Sequence, residues 1–400
     1  MGFDSKATLN HIKNIAYPRG IGSAGKDKAA DYIIEYFKDT GFTVKIQDFF
    51  FSSFPAYYLP ILYYLFLLCA VNIQVFYLRN NLILSAIFSL IVIVFFIVSI
   101  IWKDKLRYLY RISKYLHSKN IIASKDKDSA KNNIIFIAHY DSKSQALPIY
   151  LSELCYLIVF CAVSAISAAI VALFFLNLEI VYRYIIYYIA CGVNVVLVLL
   201  LFNSISNKSP GVFDNATGVA VLLELARCLK GVANKNFQVL FLLTDAEELG
   251  LVGAQRYISE YGKNFDRGST YAVNIDCVGV KGKIKVINKY KLMPSGEGGR
   301  LIKSITNVSK KSNIEIKREL LSIGREFDHI PFVCNQFEAV TLTQSGFNKS
   351  TMSVHSKRDT SDNLDMQALE NVGNLCLALV ENLENISSEN SQKGSSESLF

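Results

Sequence analysis

Six side chains in this sequence have the chemistry to bind metal and activate water: His139, Asp214, Glu247, Glu248, Asp276 and His355. Each follows a strand-like apolar run or lies in a turn-rich loop. Zinc accepts imidazole nitrogen and carboxylate oxygen at about 2.0–2.2 Å. Two ions about 3.5–4 Å apart need a shared carboxylate, a task suited to a loop aspartate. The set is large enough for two zinc ions and one spare acid. A metal draws the pKa of its water towards about 7, and an adjacent unligated carboxylate can then act as base. The chemistry expected is hydrolysis.

These residues must be brought together by the elements that carry them. His139 and Asp141 end the apolar run NNIIFIA, Glu247 and Glu248 follow QVLFLLT, and Asp276 ends TYAVNI. In open α/β sheets, ligands collect at the carboxyl ends of the strands, so separate strand ends can converge on one cleft. Asp214 lies in the loop SPGVFDNATG and His355 in another loop. Helical spacing in AADYIIEYFKD stops at Gly41, and VAVLLELARCLK stops at Gly231. TVKIQDFFF alternates as a strand does. Further helices are expected over AQRYISEYG, near 298–312 and near 366–384. The alternation predicts an α/β fold, a mostly parallel central sheet flanked by helices.

Four long apolar runs interrupt this pattern: 57–78, 82–102, 149–176 and 180–202. Each meets the need for about 20 apolar residues to span a bilayer. They explain a composition of 51% hydrophobic and only 19% charged residues, against about 25% charged in an ordinary soluble domain. The expected organisation is an N-terminal catalytic part (1–56), a first transmembrane hairpin (57–102) and a basic surface segment with a catalytic strand (103–148). A second transmembrane hairpin (149–203), the main catalytic domain (204–385) and a disordered polar tail (386–400) follow. The basic stretch KDKLRYLYRISKYLHSK (103–119) is expected to be helical, either on the bilayer surface or as a solvated linker.

The net charge of +8 comes without a long basic run or nucleic-acid motif, so no nucleic acid is expected as partner. The eight cysteines form no C-x-x-C pair, which argues against a disulfide framework or a cysteine metal site. The first residues lack the basic start and apolar core of a secretory signal, and Lys6 stands where the myristoylation pattern needs Ser or Thr.

The stretches AHYDS, SPGVFDNATG, TDAEELGLVGAQRY, NIDCVG, FDHIPF and VHSKRDTSDNL, in this order, resemble the co-catalytic di-zinc aminopeptidases, family twenty-eight of the metallopeptidases. The resemblance implies a zinc aminopeptidase-like phosphorylase/hydrolase fold and two zinc ions per chain. It implies that His139 and Asp276 hold the first zinc, Glu248 and His355 the second, and that Asp214 bridges them. Glu247 would be the general base and Asp141 the carboxylate that orients His139. It also implies a cis peptide bond after Asp214. Asp328 and His329 could line the site or be structural, while Asp359 and Asp365 read as loop or capping residues. The sequence departs from some members at Val354, where they place a tyrosine that helps stabilise the oxyanion.

The expected function is a membrane-embedded zinc exopeptidase, an aminopeptidase, acting on peptides and partnered by the lipid bilayer. The alternatives are a one-zinc glutaminyl cyclase of the same fold and a non-catalytic scaffold. The oligomeric state is left open. Lys103, Lys105, Arg107, Arg111, Lys114 and Lys119 follow the second run, whereas the hairpin tips carry little more than Arg79 and Arg183. By the positive-inside rule, the catalytic domain is expected on the cytoplasmic face of the plasma membrane.

Overall fold

The computed structural model describes residues 2–106, 115–125, 132–176, 181–231, 237–288, 299–321, 325–346 and 350–397. The chain divides into two units, one of residues 1–50, 116–144 and 207–400, the other of residues 51–115 and 145–206.

The first unit opens with α1 (Ser5–Ile15) and α2 (Ala24–Asp39). Asp4 caps α1 by accepting from the backbone N–H of Lys6 at 2.8 Å. Gly41 ends α2 with φ +82°, and the Phe42 N–H closes back on the Phe37 carbonyl at 2.9 Å. This is the left-handed glycine stop that the sequence predicts.

Strands β1 (Thr43–Ser52), β2 (Tyr115–Ser124) and β3 (Asn132–His139) follow; the two-residue β4 (Ser144–Gln145) straddles the division at 144/145, and its partner β5 (Ile205–Ser206) belongs to the second unit. Helix α8 (Thr217–Cys228), β6 (Phe237–Thr244), α9 (Val252–Tyr261), β7 (Thr270–Ile275) and β8 (Ile284–Ile287) come next. The unit ends with α10 (Arg300–Lys311), β9 (Ile316–Arg318), α11 (His329–Cys334), β10 (Glu338–Thr343) and α12 (Met366–Glu397).

An eight-stranded sheet runs in the order β1-β2-β6-β3-β7-β10-β8-β9. Its centre, β6-β3-β7-β10, is parallel, and antiparallel pairings join β2 to β6 and β8 to β10. The sheet is therefore mixed, with a parallel centre covered on both faces and one further parallel pair, β8 with β9, at its edge. Alternate residues of β3 serve the two faces. Ile134, Phe136 and Ala138 enter one core with side chains from α1, α2, α8, α10 and α12. Ile135 and Ile137 enter a second core with side chains from α9 and α11.

Register decides where the candidate residues stand. His139 lies opposite Thr244, the last residue of β6. Ile137 lies opposite Asn274, which brings Asp276 level with His139. The carboxyl ends of three neighbouring strands thus finish at one height.

Two expectations are corrected. Residues 115–119 belong to β2 and are not helical; the rest of the expected helix beyond Leu106 lies outside the described residues. The reason is tertiary pairing. Ile121 and Ala123 enter the core on one face and Ile122 on the other, and the strand bonds to β6 through Ile121–Leu243 and Ala123–Phe241. The tail from 386 is not disordered through its length, because α12 continues to Glu397. Buried Leu369, Val372, Leu375, Leu379 and Leu383 pay the nucleation cost, after which each further residue adds a hydrogen bond with no proline to stop it.

The second unit contains α3 (Phe54–Tyr57), α4 (Leu59–Asn80), α5 (Leu82–Leu106), α6 (Ile149–Leu176) and α7 (Val181–Leu201). Its described residues hold 4 helices long and apolar enough to cross a membrane. Helix α4 packs on α5 and α7, and α6 packs on the same two helices. The interior is apolar, with Leu67, Val71, Val163, Ile170 and Leu197 buried. Gln74 donates to Ser167 Oγ at 3.0 Å, and its carbonyl accepts from Ser85 Oγ at 2.8 Å. Such bonds join helices where no water competes. The outer faces expose Leu62, Phe76, Ile83, Phe160, Tyr188 and Val195.

Candidate metal centre

The candidate residues converge at the carboxyl edge of the parallel strands. His139 is the last residue of β3 and is fully buried. Its Nδ1–H donates to the carbonyl of Asp141 at 3.2 Å. That leaves the Nε2 lone pair facing the acids. Nε2 lies 2.9 Å from Asp214 Oδ1, 3.6 Å from Asp276 Oδ2 and 4.0 Å from Glu247 Oε2. It makes no aligned hydrogen bond to any of them. A buried imidazole lone pair among carboxylates fits a cation between them.

A second cluster adjoins the first. His355 Nε2 lies 3.0 Å from Asp214 Oδ2 and 3.1 Å from Glu248 Oε2. Among the described residues, ligand atoms within 4.8 Å of one another come from three groups: His139, Glu247 and Asp276; Asp214, Glu248 and His355; Asp214, Asp276 and Cys277. Asp214 and Asp276 each belong to two of them, and Asp214 alone has an oxygen within 3.0 Å of each histidine.

Local backbone conformation delivers these side chains. The Asp214–Asn215 peptide bond is cis, as expected. Asn215 is buried, donating to the Ile275 carbonyl at 2.8 Å and accepting from the Gly218 N–H at 3.0 Å, which ties the Asp214 turn to the end of β7. Ala246 and Leu251 bracket the two glutamates with φ of +57° and +58°. His355 itself has φ +60°. Non-glycine residues in this region mark backbone held by its surroundings.

Asp141 is buried behind His139, with Oδ1 3.5 Å from His139 Nδ1. Its two oxygens accept from the backbone N–H groups of Glu247 and Glu248, each at 3.2 Å. One carboxylate therefore orients the loop of both glutamates as well as facing the histidine.

Charge in the cluster is strongly coupled. Burial works against the ionised form of Asp214, but the imidazoles of His139 and His355 beside it hold its carboxyl well below the usual range. Burial pushes the Glu247 carboxyl well up, and Glu248, Asp328 and Asp276 add repulsion against the pull of His139. Burial opposes charging of His355, yet Glu248 and Asp214 lift it to about 9. This excess of negative charge favours a cation.

Three residues matter here whose roles the sequence alone did not disclose. Asp359, read as a loop residue, is fully buried and accepts from the N–H groups of Phe213 at 2.8 Å and Asp214 at 3.3 Å. Burial lifts its carboxyl to about 7. Arg19 is buried and donates to the carbonyls of Ile15, Tyr17, Tyr140, Pro210 and Gly211. Lys143 Nζ pairs with Glu248 Oε2 at 2.9 Å. No local pattern marks them, because their partners are distant in sequence. Asp365 caps α12 through the Ala368 N–H at 3.0 Å, as expected. Asp328 and His329 are buried beside the site and bond to Thr244 and Thr341. Neither joins a metal-capable group among the described residues. Val354 is buried and offers no polar atom from its side chain.

Residues 193–380 match the family described as Peptidase family M28. Aminopeptidase YwaD of Bacillus subtilis is 26% identical over 174 residues, 43% of this chain and 37% of that protein. These matches support peptidase family M28. The chain matches little more than a third of the YwaD length. The M28 match contains Asp214, Glu247, Glu248, Asp276 and His355. His139 and Asp141 precede it and join the M28 residues through the sheet register.

Solved structures share the fold. An aminopeptidase from Aneurinibacillus sp. strain AM-1 aligns with TM-score 0.56 at 16% identity, covering 94% of this chain and 93% of its own. A Porphyromonas gingivalis glutaminyl cyclase aligns with TM-score 0.55 at 14% identity, covering 95% and 98%. A zinc aminopeptidase from Bacillus subtilis aligns with TM-score 0.56 at 15% identity, covering 94% of each chain.

Proposed function

We propose that the chain is a membrane-embedded, zinc-dependent exopeptidase of aminopeptidase type, holding two zinc ions. The observation that carries this reading is Asp214, whose two oxygens face two different histidines at 2.9 Å and 3.0 Å. His139 and Asp276 would hold one ion, Glu248 and His355 the other, with Asp214 between them. Bound zinc would supply Lewis-acid polarisation of the peptide carbonyl and a more acidic water.

The chain's own residues supply the proton chemistry. Glu247 stands beside a ligand yet is surplus to the five that would bind metal. As base it takes a proton from the attacking water and returns it to the leaving amine. Asp141 keeps His139 in the tautomer whose Nε2 faces the site and holds the backbone of Glu247 and Glu248. Asp359 keeps the Asp214 turn in place.

A one-zinc glutaminyl cyclase is disfavoured because both histidine clusters are complete in acids. The same completeness argues against a non-catalytic scaffold. Zinc analysis of the purified protein separates the three: about two ions, one or none per chain. A peptide-library digest read by mass spectrometry tests the reaction. Loss of single residues from free N-termini is expected; cleavage only at C-termini, or none, overturns the aminopeptidase reading.

The bilayer is the proposed partner of the second unit. The catalytic domain is proposed to face the cytoplasm at the plasma membrane, on the basic residues that follow the second apolar run.

A further inference from the structure

We infer that Lys143 is a catalytic residue, whose ammonium donates to the carbonyl oxygen of the scissile bond as that oxygen gains negative charge. The inference rests on the aminopeptidase reading and adds to it the group that meets the oxyanion.

Lys143 lies four residues beyond the end of β3, in the loop after Asp141. Its backbone N–H donates to Glu248 Oε1 at 3.2 Å. Its Nζ lies 2.9 Å from Glu248 Oε2 and 3.2 Å from the Glu248 carbonyl oxygen. Glu248 Oε2 is in turn 3.1 Å from His355 Nε2, so the ammonium borders the cluster of Asp214, Glu248 and His355. The main-chain bond and the bond to the carbonyl do not use Oε2. They keep the lysine beside the site when that oxygen turns to an ion.

An ammonium has three N–H donors. Two meet Glu248, and the third has no partner among the described residues. The side chain is 21% exposed. Among the described residues, no other lysine or arginine pairs with a carboxylate of the cluster. Arg19 is occupied by five backbone carbonyls. Val354 brings no donor. The site is otherwise built of acids and two histidines, which suits binding cations; bound zinc would polarise the carbonyl, and an N–H donor to the same oxygen adds to that stabilisation.

The step balances as follows. The water oxygen bonds to the carbonyl carbon, the C=O π pair moves onto the carbonyl oxygen, and the water proton passes to Glu247. Lys143 donates to that oxygen without losing its proton. The C=O bond then re-forms, the C–N bond breaks and the proton on Glu247 goes to the leaving nitrogen.

The test compares wild type, Lys143→Met and Lys143→Arg, each full-length and zinc-loaded in detergent. Zinc content is measured, with kcat and KM on an aminoacyl anilide that carries no carboxylate. Calorimetry gives the affinity for a dipeptide phosphonate and for the product amino acid. Lys143→Met is expected to keep its zinc and lose roughly 100-fold in kcat, the scale of one oxyanion donor. KM and product affinity should stay within a few-fold, while phosphonate affinity falls in parallel with kcat and Lys143→Arg recovers part of both. Zinc loss in Lys143→Met would mean that the lysine only braces Glu248. A raised KM at unchanged kcat would mean ground-state binding. Either outcome, or unchanged phosphonate affinity, overturns the inference. If zinc-loaded wild type neither hydrolyses the anilide nor binds the phosphonate, the aminopeptidase reading falls and the inference with it.

Discussion

Asp214 turns Oδ2 towards His355 Nε2 at 3.0 Å, while its other oxygen is committed to His139 at 2.9 Å. One carboxylate spanning two imidazoles cannot be replaced by an amide, which presents a single acceptor and two N–H donors. Asp214→Asn is expected to lower the zinc content of the purified protein and reduce hydrolysis at least ~100-fold. Metal analysis beside a peptidase assay checks this. Retention of wild-type zinc would remove Asp214 from the bridging position.

Glu247 gives the complementary result. Its Oε2 is 4.0 Å from His139 Nε2, farther than the acid oxygens assigned as ligands. Glu247→Gln should leave zinc content intact and lower kcat at least ~100-fold, the usual scale for a general base. Near-normal turnover in the zinc-loaded variant would rule out the assignment.

His11 predicts a pH effect away from the site. Burial lowers its pKa to about 4, outweighing the charge of Glu224, and its Nδ1 meets Tyr32 OH at 2.7 Å. An unfolded histidine titrates near 6.5, so the unfolded state binds the proton first as pH falls. Stability is therefore lost between about pH 6.5 and 4. At pH 5 the loss from this group is about 2 kcal/mol by linkage. Thermal unfolding in detergent at pH 7 and pH 5 should show a smaller drop for His11→Asn than for wild type. Equal drops would contradict the buried neutral ring.

Arg19 should be critical for stability. Its guanidinium satisfies carbonyls from the end of α1, from Tyr140 after β3 and from the Pro210–Gly211 turn. Arg19→Met leaves those acceptors buried without donors, at about 1–3 kcal/mol each. A fall in folding stability of at least about 3 kcal/mol is expected, read from the unfolding midpoint and the yield of folded protein.

Sidedness can be tested with single cysteines at Asn80 and Lys310, both exposed, in a background without reactive native thiols. If the catalytic domain is cytoplasmic, an impermeant thiol reagent labels position 80 and not position 310 in intact cells. The reverse pattern would invert the topology.

The sequence by itself determined which residue types are available for the site and which runs are long and apolar enough to cross a membrane. Both are local properties. A strand such as Ile134–Ala138 buried on both faces reads as a continuous apolar run, and the acids at strand ends follow such runs directly. Helix stops such as Gly41 are equally local, because a positive φ favours glycine. Tertiary structure decided the rest. Residues 115–119 are part of a strand, β2, that lies between β1 and β6 in the sheet and pairs with β6 further along, at Ile121–Ser124, against a basic, aromatic sequence that reads as helix. The polar end of α12 is helical because its apolar beginning is buried. Asp359, Arg19 and Lys143 act on partners remote in the chain, and sequence spacing carries no record of which distant backbone groups a fold will leave in need of a donor or an acceptor.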